Sequence, residues 1–109
     1  MPHLLFRGIG PERLRPIAEP LAAQLAAICD CGTDNFTMDC FPTVAVYGGE
    51  GDRSFPFVEV AWFERGDDVR GRFAAAVTQQ LSSLGLSGIE IGFRTFREDS
   101  YYIDGKPLG

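Results

Sequence analysis

The sequence is poor in the groups from which common active sites are built. It holds one histidine, His3, and three cysteines, Cys29, Cys31 and Cys40, in 109 residues. An odd cysteine count argues against the disulfide framework of a small secreted domain. The two C-x₂₋₄-C pairs that usually announce a structural zinc site are missing, so a metal would need all three cysteines and His3 to converge. The thiols read instead as reduced side chains, and no metal is expected. There is no G-x-S-x-G, no G-x-x-x-x-G-K-[ST] and no G-x-G-x-x-G. Those absences remove the nucleophile-elbow hydrolases, the P-loop enzymes and the dinucleotide binders.

Positive charge is also scarce. Ten basic residues face fifteen acidic ones, a net charge of −5, with an isoelectric point near 4.7. No cluster is denser than Arg70 and Arg72, so no nucleic-acid partner is expected. Long apolar runs are missing too: Pro16 to Cys29 is broken by Glu19, Pro20 and Gln24. That stretch is too short and polar for a bilayer, so no membrane association is expected. The start shows no basic region followed by an apolar run and a cleavage site. No signal peptide, and hence a cytoplasmic protein, is the expectation.

What is present suits a single domain over residues 1–109. Hydrophobic residues make up 45% and charged residues 23%, with nine Phe, three Tyr and one Trp for a core,. A chain this short buries a limited share of its surface, and an oligomer interface would help it.

Periodicity orders the elements. Pro2–Arg7 reads as a strand closed by Gly8-Ile9-Gly10-Pro11. Leu14, Ile17, Ala18, Leu21, Leu25 and Ile28 then mark one helix face, with Pro11 suited to the first turn. Pro16 and Pro20 would each cost about 3 kcal/mol inside a helix. They lie off the apolar stripe, which predicts a kink toward solvent or a late helix start. Phe36–Tyr47 reads as a second strand, with Pro42 implying an edge position or a bulge. Gly48–Asp52 is a connector, and no Lys-Ser/Thr or helix follows it to hold a phosphate. Phe57–Glu64 is a third strand. A second helix opens at Gly66-Asp67-Asp68 with acidic residues at its positive end. Its face is Val69, Phe73, Ala76, Val77, Leu81 and Leu84, and Gly85 is its cap. Ile89–Phe96 is a fourth strand, and Tyr101–Lys106 carries the Asp-Gly signature of a hairpin.

The order is β-α-β-β-α-β plus a hairpin, an α+β fold with both helices on one face of a four-stranded mixed sheet. Two folds share it: the ferredoxin-like split βαβ, and the tautomerase-like fold. Alternation puts Leu4 and Phe6, Val58, Val60 and Trp62, and Ile89, Ile91 and Phe93 on one side. Arg7, Asp39, Glu59, Glu90 and Arg94 fall on the other, which reads either as a solvated face or as the lining of an oligomer's centre.

The start, Met1-Pro2, bears on chemistry. Methionine before a small residue is normally trimmed, which would leave Pro2 with a secondary amine. A free α-amino group titrates near 7.7–8.0, and burial beside cations lowers that value toward a working general base. Pro2 opening a first strand, the β-α-β-β-α-β plan and the terminal hairpin resemble the tautomerase superfamily, which includes 4-oxalocrotonate tautomerase and macrophage migration inhibitory factor. MPHLLFRG (Met1–Gly8), FPFVEVAWFERG (Phe55–Gly66) and the Tyr101-Tyr102 pair are similar to a bacterial branch of that superfamily whose function is unknown.

The resemblance implies a cofactor-free, metal-free keto–enol tautomerase, an isomerase. Pro2 would be the general base, in a homotrimer with a pocket at each subunit boundary. Its substrate would be a small keto or enol acid held by Arg65, Arg94, Tyr101 and Tyr102. The chain departs from the enzymes in two places. Thr33-Asp34-Asn35 holds no cation where the inhibitory-factor branch has a lysine. Glu12, followed by Arg13, falls where 4-oxalocrotonate tautomerase has an arginine. Desolvation of Pro2 is expected from Phe57, Trp62, Tyr101 and Tyr102, with Glu59 or Glu90 as carboxylates that would oppose it. The rival readings are a non-catalytic trimer that is structural or binds a small molecule, and a ferredoxin-like dimeric sensor.

Overall fold

The computed structural model describes residues 2–108. Strand β1 (His3–Arg7) leads into helix α1 (Pro11–Cys29), and β2 (Thr37–Phe41) follows a single 3₁₀ turn. Strand β3 (Phe57–Trp62), helix α2 (Asp67–Ser82) and β4 (Glu90–Thr95) repeat that plan, and β5 (Tyr102–Ile103) and β6 (Lys106–Pro107) form a terminal hairpin. Asp104 and Gly105, at φ 52° and 77°, both take the positive φ that a tight primed turn requires,.

The sheet runs β2-β1-β3-β4. β1 is parallel to β2 and antiparallel to β3, and β3 is parallel to β4. Each βαβ unit therefore closes on adjacent strands. A ferredoxin-like sheet splits each unit by inserting another strand, so that alternative is excluded. The tautomerase-like plan, two helices over a four-stranded mixed sheet with a hairpin, is the one adopted.

Helix α1 starts at Pro11 and runs unbroken through Pro16 and Pro20, so the late start does not occur. Both prolines are exposed, so the backbone carbonyls they leave unpaired can be satisfied by solvent. On the opposite face Leu14, Leu21, Leu25 and Ala26 are buried. Each large apolar side chain so buried contributes about 1.5–3 kcal/mol, enough together to hold the helix through both interruptions. β2 ends at Phe41, well short of Tyr47, because Pro42 has no N–H to continue the ladder,. It is an edge strand, as Pro42 implied. Residues 42–56 leave the sheet and fold on themselves, with Ala45 N–H donating to Asp52 at 2.8 Å and Glu50 paired with Arg53.

The core lies between the sheet and the helices. Leu4, Phe6, Val58, Val60 and Trp62 meet Leu14, Leu21, Leu25, Phe73, Val77 and Leu81. Among the described residues no helix covers the other face of the sheet, where the register lays out three rows: Thr37–His3–Ala61–Arg94, Asp39–Leu5–Glu59–Gly92 and Phe41–Arg7–Phe57–Glu90.

Candidate functional site at the head of the first strand

Antiparallel pairing of β1 with β3, and parallel pairing of β3 with β4, bring the start of β1 to the ends of both other strands. Pro2 stands one step before the His3–Ala61 pair, level with Trp62, which is itself paired with Thr95. The side chain of Pro2 is fully buried, and its carbonyl accepts the Thr37 N–H at 3.3 Å. Alternation places it with Leu4 and Phe6 on the helix-covered side.

Aromatic rings wall this end. Trp62 is wholly buried, 4.7 Å from the Phe93 ring and 5.4 Å from that of Phe73. Its indole N–H has no hydrogen-bond partner among the described residues. The Tyr101 ring packs edge-on against Phe63 at 5.1 Å and Phe96 at 5.7 Å. A cation stands beside them. The Arg65 guanidinium lies 5.5 Å from the Trp62 ring centre, and its Nη1 donates to the Phe63 carbonyl at 3.1 Å.

Two titratable side chains flank the site. His3 Nδ1 is 2.5 Å from Thr37 Oγ1; burial pushes its pKa below 6.5, while Asp39 pulls it back up. Burial pushes the Cys29 thiol up, against the pull of Arg65 and Arg72. Among the described residues no group of three or more His, Cys, Asp or Glu side chains is placed to hold a metal ion.

A protein-family description, DUF1904, a domain of unknown function, matches residues 1–107. The chain belongs to the DUF1904 family. A DUF1904 crystal structure from Sebaldella termitidis is 33% identical, with a TM-score of 0.87 over 96% of this chain and 97% of that one. A fused 4-OT, described as an asymmetric trimer, shares the fold at 13% identity and a TM-score of 0.79, over 98% and 96% of the two chains. A macrophage migration inhibitory factor homologue from Prochlorococcus marinus shares it at 14% identity and 0.76, over 99% and 98%. No curated protein matches the chain. The resemblance to the tautomerase superfamily is thereby shown at the level of fold.

Within this DUF1904 chain, Arg65 and Tyr101 sit at the Pro2 end of the sheet. Arg94 lies in the same row as His3, on the uncovered face and away from Pro2, where both its Nε and Nη2 donate to Glu59 at 3.2 Å. That carboxylate raises the Arg94 pKa. Tyr102 is exposed in the hairpin. Phe57 and Glu90 stand at the far end of β3 and β4, five residues or roughly 16 Å from Trp62 along the strand; Phe57 packs under Arg7 there. Neither can shield or oppose an amine at Pro2. Glu59 faces away from it and is held by Arg94.

Phe63, Phe96 and Cys29 belong to this end of the molecule but were not among the expected site residues. Only the crossing of three elements gathers them, and no spacing in the chain signals it. A cleft of about 640 Å³, lined in part by Gly10, Arg13, Phe41, Arg53 and Phe55, lies at the opposite end of the sheet.

Proposed function

We propose that this chain is a cofactor-independent keto–enol tautomerase, working as a homotrimer on a small keto or enol acid, with Pro2 as general base once Met1 is removed. The observation that carries the reading is the burial of Pro2 at the end of the sheet where Arg65 lies over the buried Trp62 ring. Burial disfavours the charged form of an amine, and a neighbouring guanidinium does the same. Both effects lower the pKa of a proline amine here from that of a free α-amino group, toward the neutral form that a general base requires. Its lone pair takes the proton α to the substrate carbonyl and returns it at the other end of the enol system. Arg65 receives the substrate carboxylate, which a guanidinium can hold through paired hydrogen bonds, and Tyr101 closes one wall. Arg94 and Tyr102 are assigned to the pocket through the subunit boundary.

Self-association is supported by what the chain leaves uncovered. Phe41, Val44, Val46, Tyr47 and Phe55 are exposed around the 42–56 excursion, and Tyr102, Ile103 and Leu108 on the tail. Apolar surface of that extent marks interaction sites, and both sheet edges offer unpaired backbone groups. No helix among the described residues is long and apolar enough to cross a membrane.

The test compares trimmed protein, Pro2→Ala and a form that retains Met1 in the ketonisation of phenylenolpyruvate. Loss confined to the two altered forms is the expected result, because an amide nitrogen has no basic lone pair. Equal rates in all three would end the proline mechanism. One observation favours the second reading, a non-catalytic trimer that binds a small molecule: the 640 Å³ cleft carries Arg13 and Arg53 and excludes Pro2. Binding of a small carboxylate that Arg53→Ala abolishes and Pro2→Ala leaves intact would select it.

A further inference from the structure

The cleft of about 640 Å³ at the far end of the sheet from Pro2 is walled by the two ends of the 42–56 excursion and by the β1–α1 turn. Its volume falls in the range of small-molecule sites, roughly 300–1,000 Å³. Gly8, at φ 78°, lets that turn bed against the returning chain; a Cβ there would overlap the Phe55 carbonyl oxygen,. The exposed Phe41 and Phe55 and the buried Ile9 give the cleft its apolar lining.

Four charged residues line the same cleft, and two of them are already engaged. The Arg13 guanidinium donates to the Leu84 carbonyl, and Glu12 stands in the first turn of α1, where its charge complements the positive end of the helix,. Glu50 and Arg53 remain, and neither forms an ion pair among the described residues. They oppose each other across the Gly51-Asp52 turn. The Glu50 N–H donates to the Arg53 carbonyl at 2.9 Å, and the Arg53 N–H donates to the Glu50 carbonyl at 3.1 Å. Residues that exchange both bonds send their side chains from the same face of the ribbon, with Cβ atoms about 5 Å apart. A carboxylate and a guanidinium thus leave the ribbon side by side at an aromatic cleft.

We propose that this cleft binds a zwitterionic α-amino acid with an apolar or aromatic side chain. The proposal rests on reading the cleft as a small-molecule site and is independent of any chemistry at Pro2. An α-amino acid carries its carboxylate and its ammonium on one carbon. Arg53 receives the first and Glu50 the second through charge-assisted hydrogen bonds. The ligand's side chain lies against Phe41 and Phe55 and removes their rings from water. A plain carboxylate would set its charge beside that of Glu50, and a plain amine would do the same to Arg53. The paired opposite charges therefore select the zwitterion over either half.

The experiment titrates the isotope-labelled full chain with L-phenylalanine, hydrocinnamate and phenethylamine and follows the backbone amides by NMR. The three share a phenyl ring and a two-carbon chain and differ in their charged groups. L-phenylalanine should bind at least about tenfold tighter than either analogue, the scale of one hydrogen bond between charged groups. The shifted amides should centre on Gly8, Gly10, Gly51 and Arg53. Glu50→Gln should abolish the preference for phenylalanine over hydrocinnamate, and Arg53→Gln should weaken phenylalanine by about tenfold or more. Both side chains are exposed, so neither change disturbs the core. Equal binding of phenylalanine and hydrocinnamate would overturn the zwitterion and leave a carboxylate cleft in place. Binding by none of the three, or shifts confined to the Pro2 end, would remove the cleft as a ligand site and the proposal with it.

Discussion

The Arg65 guanidinium carbon lies 5.5 Å from the centre of the Trp62 ring, a side chain with no solvent exposure of its own. The pair stands at the end of β3 level with Pro2, so a flexible cation is laid against a rigid aromatic wall. Arg65→Ala should lower kcat/KM for a keto acid by about tenfold to a hundredfold, the range for losing a hydrogen bond to a charged group. Stability should change by under about 1 kcal/mol, because Arg65 is not a core residue. Steady-state kinetics beside urea denaturation separates the two, and Arg65→Lys should recover only part of the loss.

His3 sets an acid limit on stability. Its folded pKa lies below the ordinary 6.5 because of burial. Below that value the unfolded chain binds a proton that the folded chain still refuses, so stability falls as pH drops through about 6.5 and levels off beneath the folded pKa. The urea midpoint of the parent should therefore fall more than that of His3→Gln between about pH 7 and pH 5. Parallel curves for the two proteins would show that His3 contributes nothing to this slope.

Pro16 and Pro20 are exposed interior residues of α1. Replacing either with alanine restores a backbone donor and improves helix propensity, offset in part by a more flexible unfolded chain. Each of Pro16→Ala and Pro20→Ala should raise stability by about 1–2 kcal/mol in urea denaturation. Neither touches the Pro2 end, and neither should alter catalysis.

Assembly can be read from mass. Light scattering of the intact protein should give three times the 11.9 kDa chain mass. Deletion from Tyr101 onward should reduce it by removing the hairpin, and Val46→Asp should do the same through the 42–56 excursion, where Val46 is 98% exposed in the single chain. A monomer or dimer mass for the intact protein would refute the trimer.

The sequence by itself determined the elements, because their signals are local. Helical spacing from Leu14 to Ile28, alternation in Phe57–Trp62 and the Asp104-Gly105 turn each record backbone geometry in residue order. Pro42 marked an edge strand for the same reason, although where the chain leaves the sheet required the structure. Pairing was beyond its reach: ferredoxin-like and tautomerase-like chains share one element order, and only the adjacency of β1 with β2 and β3 with β4 separates them. The site divides in the same way. The role proposed for Pro2 is legible because it follows from position in the chain. Arg65 and Arg94 look alike in sequence, yet one lies over Trp62 at the Pro2 end and the other pairs with Glu59 on the uncovered face. Long-range strand register decides which face and which end of a sheet a side chain occupies, and register is a tertiary property.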